Sequence, residues 1–126
     1  MAKKILIIED EGDISELLRV NLEAAGFEVD VAADGESGLR KTASGMPAAV
    51  ILDIRLPGIN GWDVCRRLKA DAATCGIPVI FLSASASKEN EKKSGELGGA
   101  AFVTKPFDPP EFVGLVENIV KGKNTA

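Results

Sequence analysis

AVILDIRLPGING, residues 49–61, carries the pattern from which the fold follows. Ala49 to Leu52 is apolar without a break, and the run stops at Asp53. A run this short and continuous suits a strand buried on both faces. Two runs of the same kind lie on either side of it, Lys4 to Ile8 upstream and Ile77 to Leu82 downstream. Farther out, Phe27 to Ala32 alternates through Phe27, Val29 and Val31, and Ala100 to Val103 makes a short fifth run.

Helical patterns separate these runs. Asp13 is the expected cap of a helix in which Ile14, Leu17, Leu18, Leu22 and Ala25 share one face, with Gly26 as its stop. Gly35 to Ser44 is weaker, with only Leu39 and Ala43 on a stripe, and Gly61 to Ala70 carries Val64, Cys65 and Leu68. In the last helix Asp108 is the cap, Pro109 takes the first position, and Phe112, Leu115, Val116, Ile119 and Val120 follow the helical repeat. Strands alternating with helices predict a parallel sheet covered on both faces. Five strands are too few for a closed barrel, so the expected fold is α/β, a doubly wound (βα)5 with an open five-stranded parallel sheet. Residues 1–121 form the expected domain, and 122–126 a frayed tail or the start of a linker.

Composition narrows the chemistry. A length of 126 residues suits one domain, and 45% hydrophobic with 27% charged residues is ordinary for a globular one. No apolar run is long enough to span a bilayer, so membrane insertion is not expected. No signal peptide is expected, because Ile5 to Ile8 runs straight into Glu9, Asp10 and Glu11. Cys65 and Cys75 form no disulfide framework, which makes a reducing cytoplasm the expected location. The chain has no histidine, which excludes His-based catalysis and most zinc sites. A net charge of −4 argues against direct nucleic-acid binding.

In open parallel sheets, sites form at the carboxyl ends of the strands. Here the first run ends in Glu9 and Asp10, the third in Asp53, the fourth in Ser83, and the fifth in Thr104 and Lys105. The second ends blandly in Ala32 and Ala33. A strand order 2-1-3-4-5 brings the polar ends to one rim and leaves the bland strand at an edge. Three crowded carboxylates call for a cation, and magnesium suits an oxygen-ligand site that also takes a phosphate. A carboxylate nucleophile, a metal, a lysine and a hydroxyl make a phosphoryl-transfer site.

The same residues resemble the receiver domain of two-component response regulators, the CheY-like fold. The match covers essentially the whole chain. It rests on Glu9-Asp10-Glu11, on Asp53 to Pro57 with Gly61, on Ser83-Ala84, and on Lys105-Pro106-Phe107. The resemblance implies that Asp53 is the phosphoacceptor. It makes Asp10 a direct Mg2+ ligand, Glu9 the holder of a metal-bound water, and the Arg55 backbone carbonyl a further ligand beside Asp53. Ser83, Ala84 and Lys105 would bind the phosphoryl group, and the Lys105–Pro106 peptide bond would be cis. Ser83 and Phe102 would form the switch that reshapes the face made by the fourth helix, fifth strand and fifth helix, where a downstream protein binds. The implied donor is a sensor histidine kinase or a histidine phosphotransfer protein. The implied role is regulatory, with catalysis limited to the domain's own phosphorylation and dephosphorylation. It fits a stand-alone regulator or a receiver cut from a longer regulator or hybrid kinase.

The sequence departs from the family pattern at Gly12, at Ala100 and Ala101, at the variable positions Arg55 and Ser85, and most of all in the fourth helix. There, Ser87 to Leu97 has Leu97 as its one strongly apolar residue, with Lys92 and Gly95 at core-type positions. A short or mobile fourth helix is therefore expected. The alternative reading is a constitutive interaction module with a non-functional phosphorylation site. An aspartate-nucleophile phosphatase fits less well, because the first strand lacks an Asp-x-Asp end, and flavin binding is opposed by the acidic first loop. Bland readings also exist: Glu11 as a solvated loop residue, Phe102 as plain core, and Trp62 as a partly exposed contact residue.

Overall fold

The computed structural model describes residues 2–85 and 87–122. Strands and helices alternate: β1 (Lys4–Ile8), α1 (Gly12–Ala24), β2 (Glu28–Ala32), α2 (Gly35–Gly45), β3 (Ala49–Asp53), α3 (Gly61–Ala70), β4 (Val79–Ser83), α4 (Lys88–Glu96), β5 (Ala101–Thr104) and α5 (Pro109–Gly122). The strands form one parallel sheet in the order β2-β1-β3-β4-β5. This is the doubly wound (βα)5 arrangement expected from the alternation. Of the expected tail, Gly122 is the last residue of α5, and residues 123–126 lie outside the described residues.

The sheet separates two cores, because successive strand residues point to opposite faces. Ile5 and Ile7 of β1, Ile51 of β3 and Leu82 of β4 pack with Leu22 of α1 and Val116 of α5. Their neighbours Leu6, Ile8, Leu52 and Phe81 turn the other way, against Val64 and Leu68 of α3. Every residue of β3 and β4 is buried, which explains their unbroken apolar runs. At one edge, β2 keeps Glu28 and Asp30 exposed, and that is the source of its alternation. Fully burying each large aliphatic side chain contributes about 1.5–3 kcal/mol.

Several local expectations are corrected. The residue capping α1 is Glu11, not Asp13, and its side chain makes no cap hydrogen bond; Asp13 lies in the first turn. Leu17 is 42% exposed, because it lies a full residue step, about 100°, around the helix from buried Leu18. Ala25 is exposed and already past the helix end. In α2 the buried stripe is Gly35, Gly38 and Thr42, while Ala43 is exposed. A Cβ on Gly38 would stand 2.5 Å from Ile8 Cδ1, so the missing side chain is what lets α2 approach β1. Trp62, expected to be partly exposed, is buried, its ring 5.0 Å from that of Phe81. In α4, Lys92 and Gly95 are exposed and Ser94 is the buried residue. This helix is the shortest of the five, at 9 residues.

Candidate functional site

β1, β3, β4 and β5 are parallel neighbours, so their carboxyl ends share one rim. There a cavity of about 270 Å3 is lined by Asp10, Asp53, Arg55, Ser83, Ala84 and Lys105, among others. The sharp turn out of β3 depends on Gly61. Its N–H donates to the Ile54 carbonyl at 2.8 Å, and a Cβ there would stand 2.3 Å from the Asp53 carbonyl oxygen. The start of α3 can therefore lie directly against the Asp53 backbone. A larger hollow of about 450 Å3 runs along β5 and α5, lined by Phe102, Pro106 and Phe112, and contains none of Glu9, Asp10 or Asp53.

Glu9 and Asp53 are buried, whereas Asp10 is exposed. Lys105 extends among the carboxylates, its Nζ 2.8 Å from Glu9 Oε1, 3.2 Å from Asp53 Oδ2 and 3.3 Å from Glu11 Oε1. Glu11, expected to be a solvated loop residue, is thus 62% exposed yet in contact with the site lysine. The Arg55 N–H donates to Asp53 Oδ1 at 3.3 Å, and the Glu11 N–H to Glu9 Oε2 at 3.2 Å. Ser83 is engaged locally: its hydroxyl donates to the Ser85 carbonyl and accepts from the Ser85 N–H, both at 3.0 Å. The backbone N–H of Lys105 donates to the Ser83 carbonyl at 2.7 Å, and the Lys105–Pro106 peptide bond is cis. Phe102 is half-buried in β5, beside Phe81 of β4, and packs against the core on the α3 side.

Burial pushes the Glu9 carboxyl up to about 7, and the adjoining Asp53 adds to the rise, against the opposing pull of Lys105. Burial pulls the Lys105 ammonium down, but the Glu9 and Asp53 carboxylates outweigh it and hold Lys105 above its ordinary value. Two buried carboxylates against one ammonium leave the cluster short of positive charge, which favours a further cation.

The donor set fits magnesium. Carboxylate oxygens of Glu9, Asp10 and Asp53 all lie within 4.8 Å of one another. Among the described residues Glu9 Oε1 is buried without a hydrogen-bond partner; its 2.8 Å approach to Lys105 is an ion-pair distance without hydrogen-bond geometry. All-oxygen, anionic donors suit a hard divalent cation.

Comparison with known proteins agrees with this geometry. The family model described as the response regulator receiver domain matches residues 5–117. The chain belongs to the response regulator receiver domain family. It is similar to the DNA-binding dual master transcriptional regulator RpaA of a Synechocystis strain, 36% identical over 94% of this chain and 49% of that protein. It is likewise similar to the alkaline phosphatase synthesis transcriptional regulatory protein PhoP of Bacillus subtilis, 36% identical over 100% of this chain and 52% of that one. The chain therefore spans about half the length of these curated relatives. Among solved structures, a CheY-like receiver domain protein from Methanospirillum hungatei superposes with a TM-score of 0.92 at 26% identity, covering 99% of this chain and 98% of that one. The receiver domain of a histidine kinase from Syntrophus aciditrophicus gives 0.88 at 30%, covering 96% and 92%. Receiver domains of this family act in two-component phosphorelays, where they interact with histidine kinases and downstream effectors, and they generally bind Mg2+ at an acidic pocket.

Proposed function

We propose that this domain is a phosphorylation-activated switch with Asp53 as its phosphoacceptor. The observation that carries this reading is the placement of Asp53: a buried carboxylate at the mouth of a strand, with a lysine ammonium 3.2 Å from one oxygen and a backbone N–H 3.3 Å from the other. An Asp53 oxygen attacks the phosphorus of a phosphohistidine donor. The new O–P bond forms as the N–P bond breaks, and the bonding pair stays on the donor imidazole. The chain has no histidine, so it receives from such a donor without being one.

Glu9, Asp10, Asp53 and the Arg55 carbonyl are the residues that hold Mg2+, directly or through water. When bound, the ion neutralises charge on the transferring group. Lys105 neutralises it from the other side. Ser83 gives up its bond to Ser85 and turns its hydroxyl to a phosphoryl oxygen, with the Ala84 backbone beside it. Its movement frees space for Phe102 to turn inward, and the face made by α4, β5 and α5 changes for a downstream protein partner. The domain catalyses only its own phosphorylation and hydrolysis, and the donor is a sensor histidine kinase or a histidine phosphotransfer protein. No helix of the described residues is long and apolar enough to cross a membrane; the proposed location is the cytoplasm. DNA binding, where the relatives' names state it, is proposed to lie outside these residues, which carry a net charge of −4.

Intact mass and phosphate release on incubation with acetyl phosphate test the proposal. Magnesium-dependent incorporation or turnover is expected, with none in Asp53→Asn. Neither in the parent protein would favour the constitutive interaction module instead.

A further inference from the structure

α4 is thinly anchored. Of its nine residues Ser94 alone is buried, and Lys93 reaches across to lie 5.1 Å from the Trp62 ring centroid. Its first turn nevertheless reaches the site. Asn90 is half-buried and lines the 270 Å3 cavity together with Asp53, Ser83 and Lys105. Its backbone is held in place there, because its N–H donates to the capping Ser87 Oγ at 3.1 Å. Among the described residues, its side-chain amide has no hydrogen-bond partner. A half-buried residue with an unused carboxamide donor, lining the cavity that holds Asp53, has one natural partner there once Asp53 carries a phosphoryl group.

We propose that Asn90 donates a hydrogen bond to the phosphoryl group on Asp53, and that this bond ties α4 to the phosphorylation state of the site. The inference rests on Asp53 being the phosphoacceptor. An amide is a neutral donor, so it adds a contact without repelling Lys105 or the metal. Hydrogen bonds to charged groups are the stronger kind. In a helix with so little apolar anchorage, one such bond is a large share of what holds it to the domain. Phosphorylation then orders α4 through a side chain of α4 itself, in addition to anything transmitted through β5.

Amide exchange over residues 88–96 tests this, with beryllium trifluoride and Mg2+ as the phosphoryl mimic and binding followed independently by fluorine NMR. In the parent protein the mimic is expected to slow exchange at least about tenfold. Asn90→Ala should still bind the mimic and lose most of that gain. Asn90→Asp separates contact from structure. An acidic side chain in the first turn favours the helix, so exchange in the free protein should be slower or unchanged. The same carboxylate faces the anionic mimic, and binding should weaken by about threefold or more, most strongly at low salt. Full retention of the gain in Asn90→Ala, or unweakened binding in Asn90→Asp, overturns the proposal. So does a parent protein that binds the mimic without protecting α4. If the parent protein does not bind the mimic at all, the phosphoacceptor reading fails first, and this inference with it.

Discussion

Replacing Lys105 by methionine removes an ammonium that lies within 3.3 Å of Glu9, Asp53 and Glu11. In EDTA at pH 8 the variant should lose about 1–3 kcal/mol in urea denaturation, and less at pH 5, where Glu9 carries its own proton. Glu9 itself sets a pH dependence. Its carboxyl loses its proton near 4.5 in the unfolded chain and near 7 in the fold. Between those values the fold binds more protons, so metal-free stability should fall as pH rises, the contribution being complete below 4.5 and gone above about 7. The absence of histidine leaves this window nearly clear of other groups. Urea midpoints from pH 4.5 to 8 should therefore slope downward in the parent and lie nearly flat in Glu9→Gln; parallel slopes would refute the assignment. Asp53 and Ser83 were legible in the sequence because each ends an apolar run abruptly, and Lys105 because it follows the polar end of the fifth run at Thr104. Glu11 was not, because the lysine it meets is 94 residues away and nothing local in an acidic loop signals it.

Element boundaries follow from caps and from what each helix can bury. Asn60 Oδ1 accepts from the Asp63 N–H at 3.0 Å and so starts α3, the helix whose first residue lies against the Asp53 backbone. Asn60→Ala should cost about 1 kcal/mol by chemical denaturation. It should also slow phosphoryl incorporation, since Gly61 is then less firmly placed. In the unphosphorylated protein, amides of α4 should exchange faster than those of α5, whose Phe112, Val116 and Val120 are buried. Equal protection would show that α4 is anchored by more than Ser94 and Lys93. α5 was legible but for its last residue, Gly122, with its Asp108 cap, its proline and its apolar stripe. α2 was legible in its extent but not in its buried face, because a stripe of Gly35, Gly38 and Thr42 buries without being hydrophobic. The start of α1 was misplaced because Glu11, which precedes it, turns its carboxylate to Lys105 and offers no cap.

At the scale of the molecule, the two cores share one sheet and neither can persist without it. Trp62, the chain's one tryptophan, lies in the α3-side core, while α1 and α5 pack on the other face. Trp62 fluorescence and far-ultraviolet circular dichroism should therefore report the same urea midpoint, and separated midpoints would mean that the faces come apart independently. The topology was legible because chain order and run polarity agree: the strand with a bland end, β2, lies at an edge of the sheet. The pairing of faces also bears on how such a chain can vary over generations. A substitution disturbs one core at a time. Loss or gain of a single codon within β3 would exchange the side chains of both cores and carry Asp53 off the rim in the same event. Strand length is thereby frozen, and changes in length are confined to the connections.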